Sequence, residues 1–154
     1  MINYESLKDA VKHYSKEDNC CSVITLALLK NWKFGRARKY MNKYCNRKDG
    51  SGVYRRTDYQ RQEFGGKLGN FEAFEQALKA DNKKLVSCDH LVGKRVRAIA
   101  DGRIDLQGDY VVYVKGHVFA IINGVIQDIM RSPNIYKYLN CGKTVQHIYK
   151  VEEA

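Results

Sequence analysis

The side chains best suited to covalent chemistry fall in two short stretches. Cys21 heads an apolar run, in Asn19-Cys20-Cys21-Ser22-Val23. About a hundred residues later comes Gly116-His117-Val118-Phe119-Ala120-Ile121-Ile122, then Asn123-Gly124-Val125-Ile126-Gln127-Asp128. A thiol at a helix start, a histidine on one strand and a carboxylate on the next are the parts of a cysteine nucleophile site. Each part alone has an ordinary explanation. Buried cysteine is common in cores, a strand histidine is often structural, and Asp128 can simply end a strand. The joint order is what points to chemistry.

Asn123-Gly124 between two apolar runs predicts a two-residue hairpin. Ile122 then pairs with Val125, Phe119 with Asp128, and His117 lies opposite Met130. Alternation along a strand puts His117, Phe119 and Ile121 on one face, with Ile126 and Asp128 facing the same way. His117 and Asp128 become diagonal neighbours about 7–8 Å apart at the backbone, within side-chain reach. A carboxylate there can accept a ring N–H and fix the tautomer and orientation of the imidazole.

The face that carries Phe119, Ile121 and Ile126 must be covered, and the apolar stretch 21–31 is the natural helix to cover it. A cysteine at that helix's N-terminus has its thiolate stabilised by the dipole and the terminal N–H groups. The same N–H groups form half of an oxyanion hole, and Asn19 is the candidate donor for the other half.

The elements that must hold these residues follow from periodicity. Residues 4–14 have helical spacing, with Leu7, Ala10, Val11 and Tyr14 on one face. The run 21–31 is apolar nearly all round, as a central buried helix is, with Asp18 or Asn19 as its cap. Helices are also expected over Phe34–Tyr44 and over 71–80. Residues 45–69 read as a long basic loop with a short helical piece near Asp58–Phe64. From Lys83 the period changes. Leu85-Val86, Arg95–Ala100, Asp109–Lys115, His117–Ile122, Val125–Met130 and Val145–Val151 read as strands. Helices first and an antiparallel sheet second means α+β, here as one domain over 1–154.

Composition agrees. The chain has 154 residues, 44% hydrophobic, with eleven tyrosines and one proline, which suits a globular domain and excludes a disordered one. The net charge of +10 favours acidic partners, either acidic proteins and peptides or nucleic acid. It gathers at Arg36, Arg38, Lys39, Lys43, Arg47, Lys48, Arg55, Arg56 and Arg61, with a second group at Lys94, Arg95 and Arg97. The alternative is an ordinary solvated surface. Five cysteines make no regular framework. No apolar stretch follows Met1 and none approaches the ~18 residues of a membrane helix, so a cytoplasmic protein with thiols and no membrane role is expected.

Other motifs are weaker. Cys88-x-His90 offers two metal ligands where zinc needs about four. Gly65-Gly66-Lys67-Leu68-Gly69 lacks the P-loop pattern and a preceding strand. Neither a metal nor a cofactor is expected. Tyr44, Tyr54 and Tyr59 interleave with the basic segment, a composition able to stack bases and bind phosphates.

The residues also carry a family resemblance. NCCSVITLA resembles the N-D-C-S-V-R-A-L-A motif of small papain-like cysteine peptidases, many of them encoded in bacteriophage genomes. GDYVVYVKGHVFAIINGVIQD resembles their G-x-Y-x-x-x-x-x-G-H-x-x-A-x-x-x-G-x-x-x-D segment. Between them, Phe34 and Ala37 fit an aromatic-x-x-Ala helix, and Arg47-Lys48 with Gly52 resembles G-R-K-x-x-x-G. The match spans about residues 19–130, with its specificity at the two ends. It implies a papain-like α+β fold with N-terminal helices on a C-terminal sheet, Cys21 as nucleophile, His117 as base and Asp128 as the orienting acid. It selects Cys21 over Cys20, which would shift every match by one. It implies hydrolysis or acyl transfer at peptide or other amide bonds, in a host cytoplasm if phage-encoded. The alternative is a catalytically idle basic module that binds nucleic acid or an acidic host protein. The chain departs from the family where Cys20 replaces an acidic residue, Ile24-Thr25 replaces Arg-Ala, and Asn46 replaces a glycine. It also lacks an upstream glutamine, for which Ser15, Lys16 and Asn19 are the available substitutes.

Overall fold

The computed structural model describes residues 6, 7, 9, 10, 20–45, 47, 52, 53, 55, 67–128 and 140–154. The chain divides into two compact units, residues 1–83 with Ala154, and residues 84–153.

The first unit is helical. Ser6, Leu7, Asp9 and Ala10 are helical, with Leu7 buried. Three longer helices follow: α1 (Cys21–Lys30), α2 (Phe34–Tyr44) and α3 (Asn70–Lys79). Helix α1 is buried from Ser22 through Ala27, as its nearly all-round apolar character predicts, and packs against α2 and α3. Its N-cap is Cys20, where the sequence pointed to Asp18 or Asn19, which lie outside the described residues. It ends in a left-handed residue, Asn31, so that the N–H of Trp32 reaches Ala27 O at 2.9 Å, the Schellman way of satisfying the last carbonyls. Helix α2 buries Phe34, Ala37 and Met41 and turns Lys33, Arg36, Lys39 and Lys43 outward. The expected helical piece near Asp58–Phe64 falls outside the described residues.

Two polar devices tie these helices together. Lys30 Nζ donates to Ala77 O at 2.6 Å and also pairs with Asp81, clamping the end of α1 to the end of α3. Deeper in, Ser22 Oγ donates to Val53 O at 3.1 Å, and Asn70 Nδ2 donates to both Ser22 Oγ and Val53 O at 3.0 Å. Burying hydroxyl and amide groups is costly unless they are paired, and this triangle pairs them while fixing the first turn of α1.

The second unit is a five-stranded sheet in the order β1-β5-β2-β3-β4. Its strands are β1 (Lys83–Ser87), β2 (Tyr110–Val114), β3 (His117–Ile122), β4 (Val125–Gln127) and β5 (His147–Glu153). Strand β2, with sequence YVVYV, is buried throughout and central, as an unbroken β-branched and aromatic run should be. It pairs antiparallel with β3 and with β5. The α+β class follows directly.

One expectation is corrected here. Arg95–Ala100 is not a strand: Val96–Ala100 is a short helix, α4, with Val96 and Ile99 buried. Buried positions three apart on a five-residue segment serve helix and strand patterns nearly equally. Within the second unit, Phe119, Ile121 and Ile126 share a buried cluster with Leu91, Val96, Ile99, Leu106, Cys141 and Val145.

The hairpin tip is built as the Asn-Gly pair demands. Asn123 and Gly124 have φ of 51° and 78°, a turn with both central residues left-handed. The N–H of Gly124 donates to Gly108 O at 2.9 Å, and the N–H of Asn123 donates to Asp109 Oδ1 at 2.9 Å. A Cβ on Gly124 would stand 2.4 Å from Leu106 O. Among the described residues no helix is long and apolar enough to cross a membrane.

Gly124→Ala should therefore destabilise the protein by about 2 kcal/mol or more, read by urea unfolding. A loss within error would contradict the packed tip. The Lys30 hydrogen bond holds the Asp81 carboxyl below the usual carboxylate range. A carboxyl so held adds stability above about pH 4, its unfolded value, and loses it as pH falls through the lower folded value. Asp81→Asn should cost about 1 kcal/mol or less at neutral pH, because Asp81 is more than half exposed. Thermal melts should show that gap closing below about pH 4, and a gap constant to about pH 2 would contradict the assignment.

Candidate active site

His117 opens β3 directly after the turn at Lys115-Gly116, so it sits at the rim of the sheet, with Val114 as its cross-strand partner. The β3–β4 register is Ile122↔Val125, Ile121↔Ile126 and Ala120↔Gln127. Continued by one residue, it sets Phe119 opposite Asp128, the pairing the two-residue turn predicts. Met130, the expected partner of His117, lies outside the described residues.

The diagonal contact is made. His117 Nε2 lies 2.7 Å from Asp128 Oδ1, within the range of a charge-assisted bond. The Asp128 side chain has no exposed surface, while that of His117 keeps 13%. Facing an ionised carboxylate, which only accepts, Nε2 would carry the proton and leave the lone pair of a neutral ring on Nδ1. Phe119, on the same face, lies 6.1 Å from the imidazole between ring centroids at 30°, nearly parallel. A bond at one edge and an aromatic plane alongside restrict rotation of the ring.

Asn140 completes the arrangement and was not singled out from the sequence. Its Nδ2 donates to Asp128 Oδ2 at 2.8 Å. Asn140 is buried and precedes Cys141 and Val145, both in the sheet's core cluster. Backbone bonds from Arg97 N to Cys141 O, Val96 N to Lys143 O and Val145 N to Lys94 O stitch this segment to the start of α4. Locally Asn140-Cys141-Gly142 reads only as a turn, and the long-range topology alone brings it to Asp128.

Cys21 is the first residue of α1, and Cys20 O accepts the first helical bond, from Ile24 N at 3.0 Å. Cys21 is half-buried, whereas Cys20 is 3% exposed, so Cys21 is the more exposed of the two adjacent residues. At the N-terminus of a ten-residue helix the dipole favours its thiolate. Cys21 belongs to the first unit, and His117, Asp128 and Asn140 to the second. Asn19, the oxyanion candidate, lies outside the described residues.

Of the basic residues singled out, Arg36, Lys39 and Arg55 are exposed and Arg38 is half-buried. Arg47 is corrected from a surface cation: it is buried, and its Nη1 donates to Asn42 Oδ1 at 3.0 Å. Lys48 and Arg56 lie outside the described residues. Among the described residues no group of three or more His, Cys, Asp or Glu is placed to hold a metal ion.

Nitrogen-15 NMR of the imidazole should show His117 protonated at Nε2 in its neutral form, with Asp128→Ala producing a tautomer mixture. Asn140→Leu should destabilise the protein by about 1–3 kcal/mol, the cost of leaving a buried acceptor without its donor. A neutral ring protonated at Nδ1 in the unsubstituted protein would contradict the arrangement.

No family model, no curated protein and no solved structure matches this chain.

Proposed function

We propose that this protein is a papain-like cysteine hydrolase acting on peptide or other amide bonds, with Cys21 as nucleophile, His117 as base and Asp128 as the group that orients the base. The observation that carries the reading is the 2.7 Å contact between His117 Nε2 and a fully buried Asp128, which presents Nδ1 as the basic nitrogen. The motif resemblance around Cys21 and around His117–Asp128 adds to it. So does the greater accessibility of Cys21 over Cys20.

In this reaction the Cys21 thiolate attacks the carbonyl carbon and forms a C–S bond. The tetrahedral intermediate collapses, the C–N bond breaks, and the imidazolium of His117 delivers its Nδ1 proton to the leaving amine. His117, neutral again, takes a proton from water as that water attacks the thioester. The C–S bond breaks, the acid leaves, and the thiolate–imidazolium pair is restored. Asp128 stays ionised throughout and steadies the imidazolium. Asn19, with backbone N–H groups at the start of α1, is the proposed oxyanion donor. The chemistry requires Cys21 Sγ to come within about 4 Å of His117 Nδ1. The positive net charge favours substrates in acidic proteins or peptides. The proposed setting is the cytoplasm, that of a host if the chain is phage-encoded.

The test is residue-resolved alkylation by iodoacetamide at neutral pH, followed by mass spectrometry. Cys21 should react at least about tenfold faster than Cys20, Cys45, Cys88 or Cys141. Burial pushes the Cys88 thiol up, so that half-buried residue should react slowly. His117→Ala should abolish the Cys21 advantage and leave the other four rates unchanged. Equal rates at all accessible cysteines, or a Cys21 rate indifferent to His117, would overturn the proposal.

A further inference from the structure

The net charge is concentrated in the first unit. Residues 30–67 hold twelve lysines and arginines against three acids, so nine of the ten net charges lie there. The hydrolase chemistry uses none of them.

On α2 this charge is organised around a row of aromatic rings. Trp32, Tyr40 and Tyr44 follow one another, with centroid separations of 5.4 Å and 4.6 Å. Tyr40 and Tyr44 are four residues apart and share a helix face. All three are half-buried, so each keeps surface open to solvent. The row is held in place. Gln76 Nε2 donates to Tyr40 Oη at 2.8 Å, and the N–H of Trp32 is tied to Ala27 O. Cations lie against the rings at both ends. The Arg36 guanidinium stands 4.2 Å from the Trp32 centroid, Lys30 Nζ 5.2 Å from the same ring, and Lys43 Nζ 5.0 Å from that of Tyr44. Lys33, Arg36, Lys39 and Lys43 are exposed.

We propose that the Trp32–Tyr40–Tyr44 row with its flanking lysines and Arg36 is a binding surface for single-stranded nucleic acid. Lysines and arginine neutralise the phosphates, and ring faces take unpaired bases. Stacking on aromatic side chains beside a positive track is how sequence-tolerant single-strand binders work. A duplex hides its base faces and gives the rings nothing to stack on. An acidic peptide would engage the cations and leave the aromatic row without a role. The Arg36 guanidinium beside Trp32 also offers its own plane for stacking.

Trp32 is the chain's only tryptophan, so its fluorescence reports on this surface directly. The experiment uses the full chain and labelled oligothymidylate and oligouridylate of about 20 nucleotides, longer than the ~4–16 nucleotides of typical sites. Anisotropy and tryptophan quenching are followed across salt concentrations. Binding should quench Trp32 and weaken with salt at a log–log slope of about −0.7 per phosphate neutralised. Lys39→Gln with Lys43→Gln, both exposed and compatible with the fold, should make that slope shallower by about 1.4. Tyr44→Leu should weaken binding about tenfold with the slope unchanged. Cys21→Ser should bind as the unsubstituted protein does, which separates this inference from the hydrolase reading. Absence of binding up to about 10 μM at low salt, or binding without quenching, would overturn the proposal. So would a duplex or polyglutamate bound as tightly as the single strand, the latter making an acidic protein the partner instead.

Discussion

A carboxylate without solvent contact is among the most demanding groups a small sheet can hold. Its ionised form is expensive to bury, and removing one partner from a buried charged pair costs about 3–5 kcal/mol. In this protein both Asp128 oxygens have a donor, His117 on one side and Asn140 on the other. Much of the second unit's architecture serves that requirement. The Asn123-Gly124 turn fixes the register that brings Asp128 diagonal to His117. A slip of one residue would send Asp128 to the opposite face of the sheet. The backbone bonds between residues 93–97 and 141–145 deliver Asn140 to the second oxygen. The tautomer of His117, and hence which nitrogen can act as a base, is a consequence of satisfying Asp128.

What could be read in the sequence tracks how local each feature is. The hairpin was legible because Asn-Gly permits few alternatives, and register then follows by counting. Helix α1 was legible from its nearly continuous apolar run and α2 from Ala37, Tyr40, Met41 and Tyr44 recurring at three and four. The segment Val96–Ala100 was misread because a five-residue piece with apolar ends does not separate the two periods. The packing of Leu91, Ile99, Leu106 and Val145 with Phe119, Ile121 and Ile126 left no signal, because these are scattered apolar residues without periodic pattern. Asn140 left no local signal, since its role depends on a contact twelve residues away in sequence. Arg47 looked like one more surface cation, and only the three-dimensional structure buries it beside Asn42.

The two units hold different kinds of chemistry. The second has a poised imidazole in a unit of modest charge. The first has a half-buried cysteine at a helix start, anchored one residue on by the Ser22–Asn70–Val53 triangle, together with most of the net positive charge and a row of aromatic rings. The proposed hydrolase chemistry draws on Cys21 and Asn19 from the first unit and on His117 and Asp128 from the second. The nucleic-acid surface needs only the first. The two are separable by substitution, and either can stand without the other.

The hydrolase proposal requires Cys21 and His117 to meet, and nuclear Overhauser contacts test that requirement most directly. In carbon-13-labelled protein at neutral pH, the account predicts a cross-peak between the Cys21 Hβ protons and the His117 Hε1 proton, which sits on the carbon bonded to Nδ1. The contact should persist in Asn140→Leu and disappear in Asp128→Ala, where the ring is no longer held. A fully assigned spectrum in which His117 Hε1 shows contacts to Phe119 but none to Cys21 would contradict the account.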